Sequence, residues 1–188
     1  MTIAHPDFAL RPLIAGDAPR IAELIGDWEV VRWLSGPPHP YKLADAVEFL
    51  KTLPDQAKSG ACHHAIVIAG QFAGAVGIDF RHQEPNAGRW NLGYWIGRTY
   101  WGHGIMTRAA TRLTHDFFAN SSETKLKSGY FSGNEASWAI QKRLGFEMAG
   151  EGLMFSRSQG KRLPHVETVL TRARFELTQH RAKSSVEI

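Results

Sequence analysis

Apolar and polar positions follow two different periods along this chain, and each change of period marks an element. Phe8 to Leu13 alternates with a period of two and predicts a short strand. Asp17 then stands where an N-cap belongs, ahead of a helix through about Ile25. Trp28 to Leu34 predicts a second short helix, stopped by the breaker Gly36-Pro37-Pro38-His39-Pro40. Leu43 to Lys58 carries Ala46, Val47, Leu50 and Leu53 at helical spacing, with Pro54 expected to end or kink that helix. His64 to Ala69 and Phe72 to Phe80 predict a hairpin turning around Gly70, and Arg89 to Ile96 predicts a further strand. Gly104 to Ala119 predicts a long amphipathic helix, Lys125 to Phe131 a strand, and Asn134 to Leu144 a helix ending at Gly145. Strands near Phe146 to Phe155 and Val166 to Ala173 complete a single domain over residues 1–175, and the polar residues 176–188 predict a frayed or disordered tail.

The order is helices, a run of antiparallel strands, then strand-helix-strand-helix-strand. A strand joined to the next through a helix of that length pairs with it in parallel, so the sheet is expected to be mixed. Mixed sheets of this kind bind ligands outside the carboxyl ends of strands, at helix N-termini. The segment Tyr100 to Thr107, Y-W-G-H-G-I-M-T, lies at such a seam. Its two glycines let a ligand approach helix N-terminal amides that have no intrahelical partner. Arg98, His103, Arg108 and Arg112 crowd this helix start, and its first carboxylate is Asp116, near the far end. A helix dipole prefers the reverse, and a bound anion such as a phosphate resolves the conflict.

Composition narrows the picture only a little. The 188 residues, 43% hydrophobic, suffice for one good core. A net charge of +4, without a run of five like charges, favours anionic ligands weakly and gives no clustered stripe for nucleic acid. One cysteine, Cys62, excludes an intramolecular disulfide and fits a reducing compartment. No apolar run approaches a membrane span, and the first residues do not form a signal segment, so a cytoplasmic location is expected. Cys62-His63-His64 lacks a second ligand pair at metal-site spacing, and neighbouring strand residues face opposite ways, so no metal is expected.

The segment Gly93 to Thr107, G-Y-W-I-G-R-T-Y-W-G-H-G-I-M-T, resembles motif A of the GNAT acetyltransferase superfamily, and most of all its RimJ/RimL branch. Gly133-Asn134-Glu135-Ala136-Ser137, followed by Leu144-Gly145-Phe146, is similar to the N-x-x-S and terminal G-F signature of that branch. The resemblance implies an α/β (α+β) fold: a mixed, mostly antiparallel twisted sheet of about six to seven strands flanked by helices. It implies an N-acetyltransferase that moves an acetyl group from acetyl-CoA to a primary amine, by direct attack in a ternary complex. Gly102, His103, Gly104, Ile105, Met106 and Thr107 would hold the coenzyme A pyrophosphate through backbone amides, with Arg98 nearby. Trp95 and Ile96 would pair with the pantetheine arm, Asn134 would bind it, and Ser137 would contact the cofactor or protonate the leaving thiolate.

Three positions depart from the family pattern. Gln141 stands seven residues after Asn134, where many relatives have a general-acid tyrosine; Asn91 and Arg108 stand where glutamates are common. Ser137 is then the candidate acid. Asp79 and Glu84, with His82 and Glu151, are base candidates because they lie near predicted strand ends or loops. The same departures support an alternative, a non-catalytic acyl-CoA-binding or regulatory module. Asn134 also reads as a plain helix N-cap, a role compatible with cofactor binding. Trp28, Trp33 and the prolines at 37–40 fit either acceptor selection or a homodimer contact, and the acceptor itself, a protein N-terminus or a small amine, stays open.

Overall fold

The computed structural model describes residues 7–80 and 90–184. β1 (Ala9–Pro12) leads through a 3₁₀ turn (Ala15–Asp17) to α1 (Ala18–Gly26), α2 (Trp28–Val31) and α3 (Leu43–Lys58). β2 (Cys62–Ile68), β3 (Gln71–Phe80) and β4 (Trp90–Ile96) follow, then a 3₁₀ turn (Arg98–Tyr100) and α4 (Ile105–Asn120). β5 (Lys125–Phe131), α5 (Glu135–Leu144), β6 (Glu147–Ser156), β7 (Lys161–Thr171) and α6 (Arg172–Ser184) complete the chain. The seven strands form one sheet in the order β1-β2-β3-β4-β5-β7-β6. Every pair is antiparallel except β4 with β5.

The alternation of strand side chains fills a core on each face. Ile66, Val76, Ile78, Leu92, Leu126 and Leu170 pack under α4, α5 and α6. On the other face Ala65, Phe72 and Ala75 pack under α1, α2 and α3, joined by Trp95. Cys62 and His64 lie on the α4 side, whereas His63 contacts Phe49 of α3, so the three-residue cluster is split between faces. Burial pushes the Cys62 thiol up, which leaves it a poor nucleophile.

The structure corrects three expectations. Asp17 occupies the N-cap position of α1 but makes no cap bond; its carboxylate turns back to Arg11 at 2.6 and 2.8 Å and accepts the Ile14 N–H at 2.9 Å. A buried carboxylate gains more from a guanidinium than from one amide. Of the two outcomes expected at Pro54, an end or a kink, the end does not occur, because Pro54 lies within α3. Most of the predicted tail is helical, as α6. Phe175, 2% exposed, anchors it against Phe118, and Arg172 donates to the carbonyls of Phe118, Ser121 and Glu123 at the end of α4. The polar composition of that segment describes its solvent face, while one aromatic and two arginines, Arg172 and Arg174, which donates to the Gly145 carbonyl at 2.9 Å, decide where it docks.

Candidate active site

β4 and β5 share a single parallel rung, Asn91 with Lys127, and part beyond it. The Ser128 hydroxyl donates to the Leu92 carbonyl at 2.9 Å just past that rung. Further along, β4 turns one backbone edge into the gap, an edge that an extended ligand can use as another strand would. A cleft of about 1220 Å³ fills the gap and opens on both faces of the sheet.

On one face the cleft meets the N-terminus of α4. Gly102 and Gly104 have φ of 80° and 67°, so the chain enters the helix through left-handed backbone that excludes most side chains. Gly104 is the N-cap, no side chain caps the helix, and its first turn holds no acidic residue. A Cβ on Gly102 would meet nothing within 4 Å. Open amides at a positive helix end form an anion cradle. The arginines of the helix have other tasks: Arg108 stacks over the Phe8 ring at 4.9 Å and Arg112 pairs with Asp116 at 3.0 Å.

α5 forms the opposite wall. Asn134 caps it, accepting the Ser137 N–H at 3.1 Å through Oδ1, which leaves its amide NH2 as a donor at the cleft. The Ser137 hydroxyl lies 3.0 Å from that of Tyr94 and 3.3 Å from Gln141 Nε2. Burial pushes the Tyr94 phenol up, against the lowering effect of its bonds to Ser137 and Gln141, so it stays neutral.

The other face carries carboxylates. Asp79 is the cross-strand partner of Asn91, and its Oδ1 lies 2.9 Å from His63 Nε2. Gln56 Oε1 lies 2.8 Å from the same nitrogen. His63 faces Gly77 across the β2–β3 pair, and its ring occupies the space a Cβ there would need. Asp45, Glu48 and Glu167 line the same half of the cleft with Trp33, Pro37, Pro38 and Tyr41. The Tyr41 phenol is pushed up to about 12 by burial and then by Asp45. Three hydrogen bonds clasp the rim: Arg157 N–H to the Ser35 carbonyl at 3.0 Å, Ser158 Oγ to the Val31 carbonyl at 3.3 Å, and Gln159 Nε2 to the Arg32 carbonyl at 3.2 Å. The β6–β7 turn and the segment after α2 are thereby joined at the edge of the cleft, which Ser35 and Arg157 line.

Residues 7–147 match the acetyltransferase (GNAT) domain family. The chain belongs to the GNAT acetyltransferase family. A putative ribosomal N-acetyltransferase, YdaF, of Bacillus subtilis (strain 168) is 29% identical over 147 residues, 76% of this chain and 79% of its own length. RimJ of Mycobacterium smegmatis, solved in complex with CoA-disulfide, has the same fold with a TM-score of 0.78 at 20% identity, over 95% of this chain and 88% of its own. A ribosomal-protein-S5-alanine acetyltransferase from Vibrio fischeri gives a TM-score of 0.73 at 22% identity, over 91% and 95%.

GNAT enzymes use acetyl-CoA as cosubstrate, and this chain fits it. The open α4 amides without a competing carboxylate suit a pyrophosphate, and the parted strands suit an extended arm. Trp95, Ile96, Gly102, Gly104, Ile105, Met106, Thr107, Asn134, Ser137 and Asp79 all line the cleft. Arg98 and His103 are exposed and lie outside its walls, as does Glu151 on β6. His82 and Glu84 fall outside the described residues. Sequence reasoning missed Tyr94 and His63 as site residues. Tyr94 carried a usable signal, since it alternates with Leu92 and Ile96 on the helix-covered face of β4. Among the described residues no helix is long and apolar enough to cross a membrane.

Proposed function

We propose that this GNAT enzyme acetylates the amine at the end of a slender acceptor, foremost a peptide N-terminus, by direct attack in a ternary complex. The observation that carries the reading is the β6–β7 turn fastened to the segment after α2 at the edge of the cleft that Asp79 and Asn91 also line. A rim fastened in this way admits a chain end more readily than the side chain of a folded surface. A second reading, a small polyamine, is favoured by Asp45, Glu48, Asp79 and Glu167 around the acceptor half.

Acetyl-CoA supplies an acetyl group activated as a thioester. The α4 amides from Gly102 to Thr107 hold its pyrophosphate, Trp95 and Ile96 align its arm, and Asn134 donates to it. His103 contributes its backbone amide rather than its ring, and Arg98 attracts phosphate from the exposed mouth. Asp79, with one oxygen held by His63, presents the other to the ammonium and takes a proton from it, directly or through one water. Ser137 faces the leaving sulfur. Asp79 beside Asn91 supplies a proton acceptor and Ser137 beside Gln141 a hydrogen-bond donor to the sulfur, in place of the groups whose absence from the expected positions favoured a non-catalytic module.

Thiol release from acetyl-CoA tests this with an alanine-headed peptide, the same peptide blocked at its N-terminus but bearing lysine, and spermine. Turnover with the free N-terminus alone supports the first reading. Turnover with spermine alone supports the second, and turnover of the blocked peptide's lysine defeats both.

A further inference from the structure

One buried side chain stands at the position where the sequence lacks its expected tyrosine. Gln141 is 0% exposed, and its partner Thr168 is 1% exposed. The Gly129 carbonyl lies 3.2 Å from one end of the Gln141 amide. A carbonyl oxygen only accepts, so that end is the nitrogen. The Thr168 hydroxyl then donates to Oε1 at 2.6 Å, which fixes the amide from its other end. The same Nε2 reaches Ser137 Oγ at 3.3 Å. An amide nitrogen offers no lone pair, so Ser137 accepts there, and its single proton points elsewhere. Two directions remain, the Tyr94 oxygen at 3.0 Å and the cleft. The Tyr94 hydroxyl has an outlet of its own in the Ser137 carbonyl at 3.2 Å.

We propose that Gln141 is a positioning residue that keeps Ser137 a hydrogen-bond donor toward a sulfur in the cleft. The inference rests on the acetyltransferase reading above. As the acyl carbon–sulfur bond breaks, its electron pair goes to sulfur, and the Ser137 O–H bond stabilises that charge until sulfur takes a proton from solvent. Ser137 keeps its own proton throughout, so no alkoxide forms. Tyr94 accepts the Ser137 hydrogen bond when the cleft is empty and gives it up when a sulfur arrives.

The test needs no acceptor. The thiol of protein-bound CoA is titrated by the ultraviolet absorbance of its thiolate, with desulfo-CoA binding as the control. Wild type is expected to hold the bound thiol below the ordinary thiol range. Gln141→Leu and Ser137→Ala are each expected to raise it by about one unit, a roughly tenfold loss of thiolate preference, with desulfo-CoA affinity unchanged. Gln141→Leu added to Ser137→Ala should shift it no further, because one bond is removed twice. Gln141→Glu keeps the shape but turns the donor into an acceptor once ionised, so the bound thiolate should be disfavoured further as that carboxyl titrates. One thiol value shared by wild type and every variant overturns the proposal. So does equal weakening of CoA and desulfo-CoA by Gln141→Leu, the signature of a merely structural role. Where the leucine variant does not fold, Gln141→Glu against Ser137→Ala decides alone. Wild type that binds no CoA fails the acetyltransferase reading itself, and the proposal falls with it.

Discussion

Among the described residues, Asn91 of β4 and Lys127 of β5 form the one parallel rung that joins the two halves of the sheet. The cleft and the groups that line it are arranged around the point where that pairing stops. The α4 amides and α5 lie beyond it on one face, and Asp79 with His63 lies beside it on the other. A pairing that ended later would leave no gap. One that never formed would leave nothing to hold the two walls at a fixed separation.

The α4 cradle depends on left-handed backbone at Gly104, φ 67°. A β-branched residue resists that conformation, at a cost of roughly 1–2 kcal/mol, and adds bulk beside the amides. Gly104→Val is expected to weaken CoA binding about tenfold or more, whereas Gly104→Asn, which tolerates this backbone, should retain most of it. Isothermal titration calorimetry checks both. A folded valine variant with wild-type affinity removes the pyrophosphate from this seam.

Asp79→Asn preserves shape and removes the proton acceptor. Amine acetylation is expected to fall about 10²-fold or more in kcat, in the range general base catalysis contributes, with CoA affinity unchanged. His63→Asn and Gly77→Ala should each produce a smaller loss, because the first removes the group that holds Asp79 and the second displaces it. Steady-state kinetics at saturating acetyl-CoA separates these effects. An Asp79→Asn enzyme with full kcat would exclude Asp79 as the base.

The Arg11–Asp17 pair fastens β1 to α1. Burial works to raise the Asp17 carboxyl, but the Arg11 and Ile14 hydrogen bonds and the Arg11 charge hold it below the ordinary carboxylate range. A carboxyl depressed in the folded state stabilises the fold above its unfolded value, about 3.9, and that contribution is lost as pH falls through the native value. Wild type should therefore lose stability progressively below about pH 4, and Asp17→Asn should lose less over the same range. At neutral pH that variant is expected to be less stable by about 2 kcal/mol, a Tm drop of roughly 4–8 °C. Thermal melts from pH 7 downward report both effects. A parallel pH response in the two proteins would contradict the assignment.

Phe175 is a second stability handle. It is 2% exposed and packs on Phe118, so Phe175→Ala is expected to cost about 3–5 kcal/mol. Leu177, 50% exposed on the same helix, should tolerate alanine within about 0.5 kcal/mol. Urea unfolding of the two variants compares them directly, and equal midpoints would mean that α6 does not dock.

Much of the fold was legible in local signals. The strand over Lys125–Phe131 and the helix capped by Asn134 and closed by Gly145 lie where the periodicity and cap residues predict them. The double-glycine seam and the Asn134 turn were legible for the same reason: each is a short contiguous segment whose backbone needs are written in its own residues. Asp17 misled because an acidic residue before a helix has two outlets, and the choice of Arg11 depends on how β1 docks. The tail misled because composition averages over a helix whose single buried aromatic does the anchoring.

By itself the sequence determined the order of most elements and the parallel step inside an antiparallel sheet, which follow from periodicity and glycine placement, while the donor half of the reaction came from the resemblance of Gly93–Thr107 and Gly133–Phe146 to GNAT motifs. Only the tertiary structure decided which groups meet. Strand register sets Asp79 beside Asn91 and brings His63 to it, the packing of α5 on β4 and β7 joins Ser137 to Tyr94 and Gln141 to Thr168, and a turn 127 residues away clasps the segment after α2. These are contacts between residues distant in the chain, fixed by the burial of two faces of one sheet, and no local pattern encodes them.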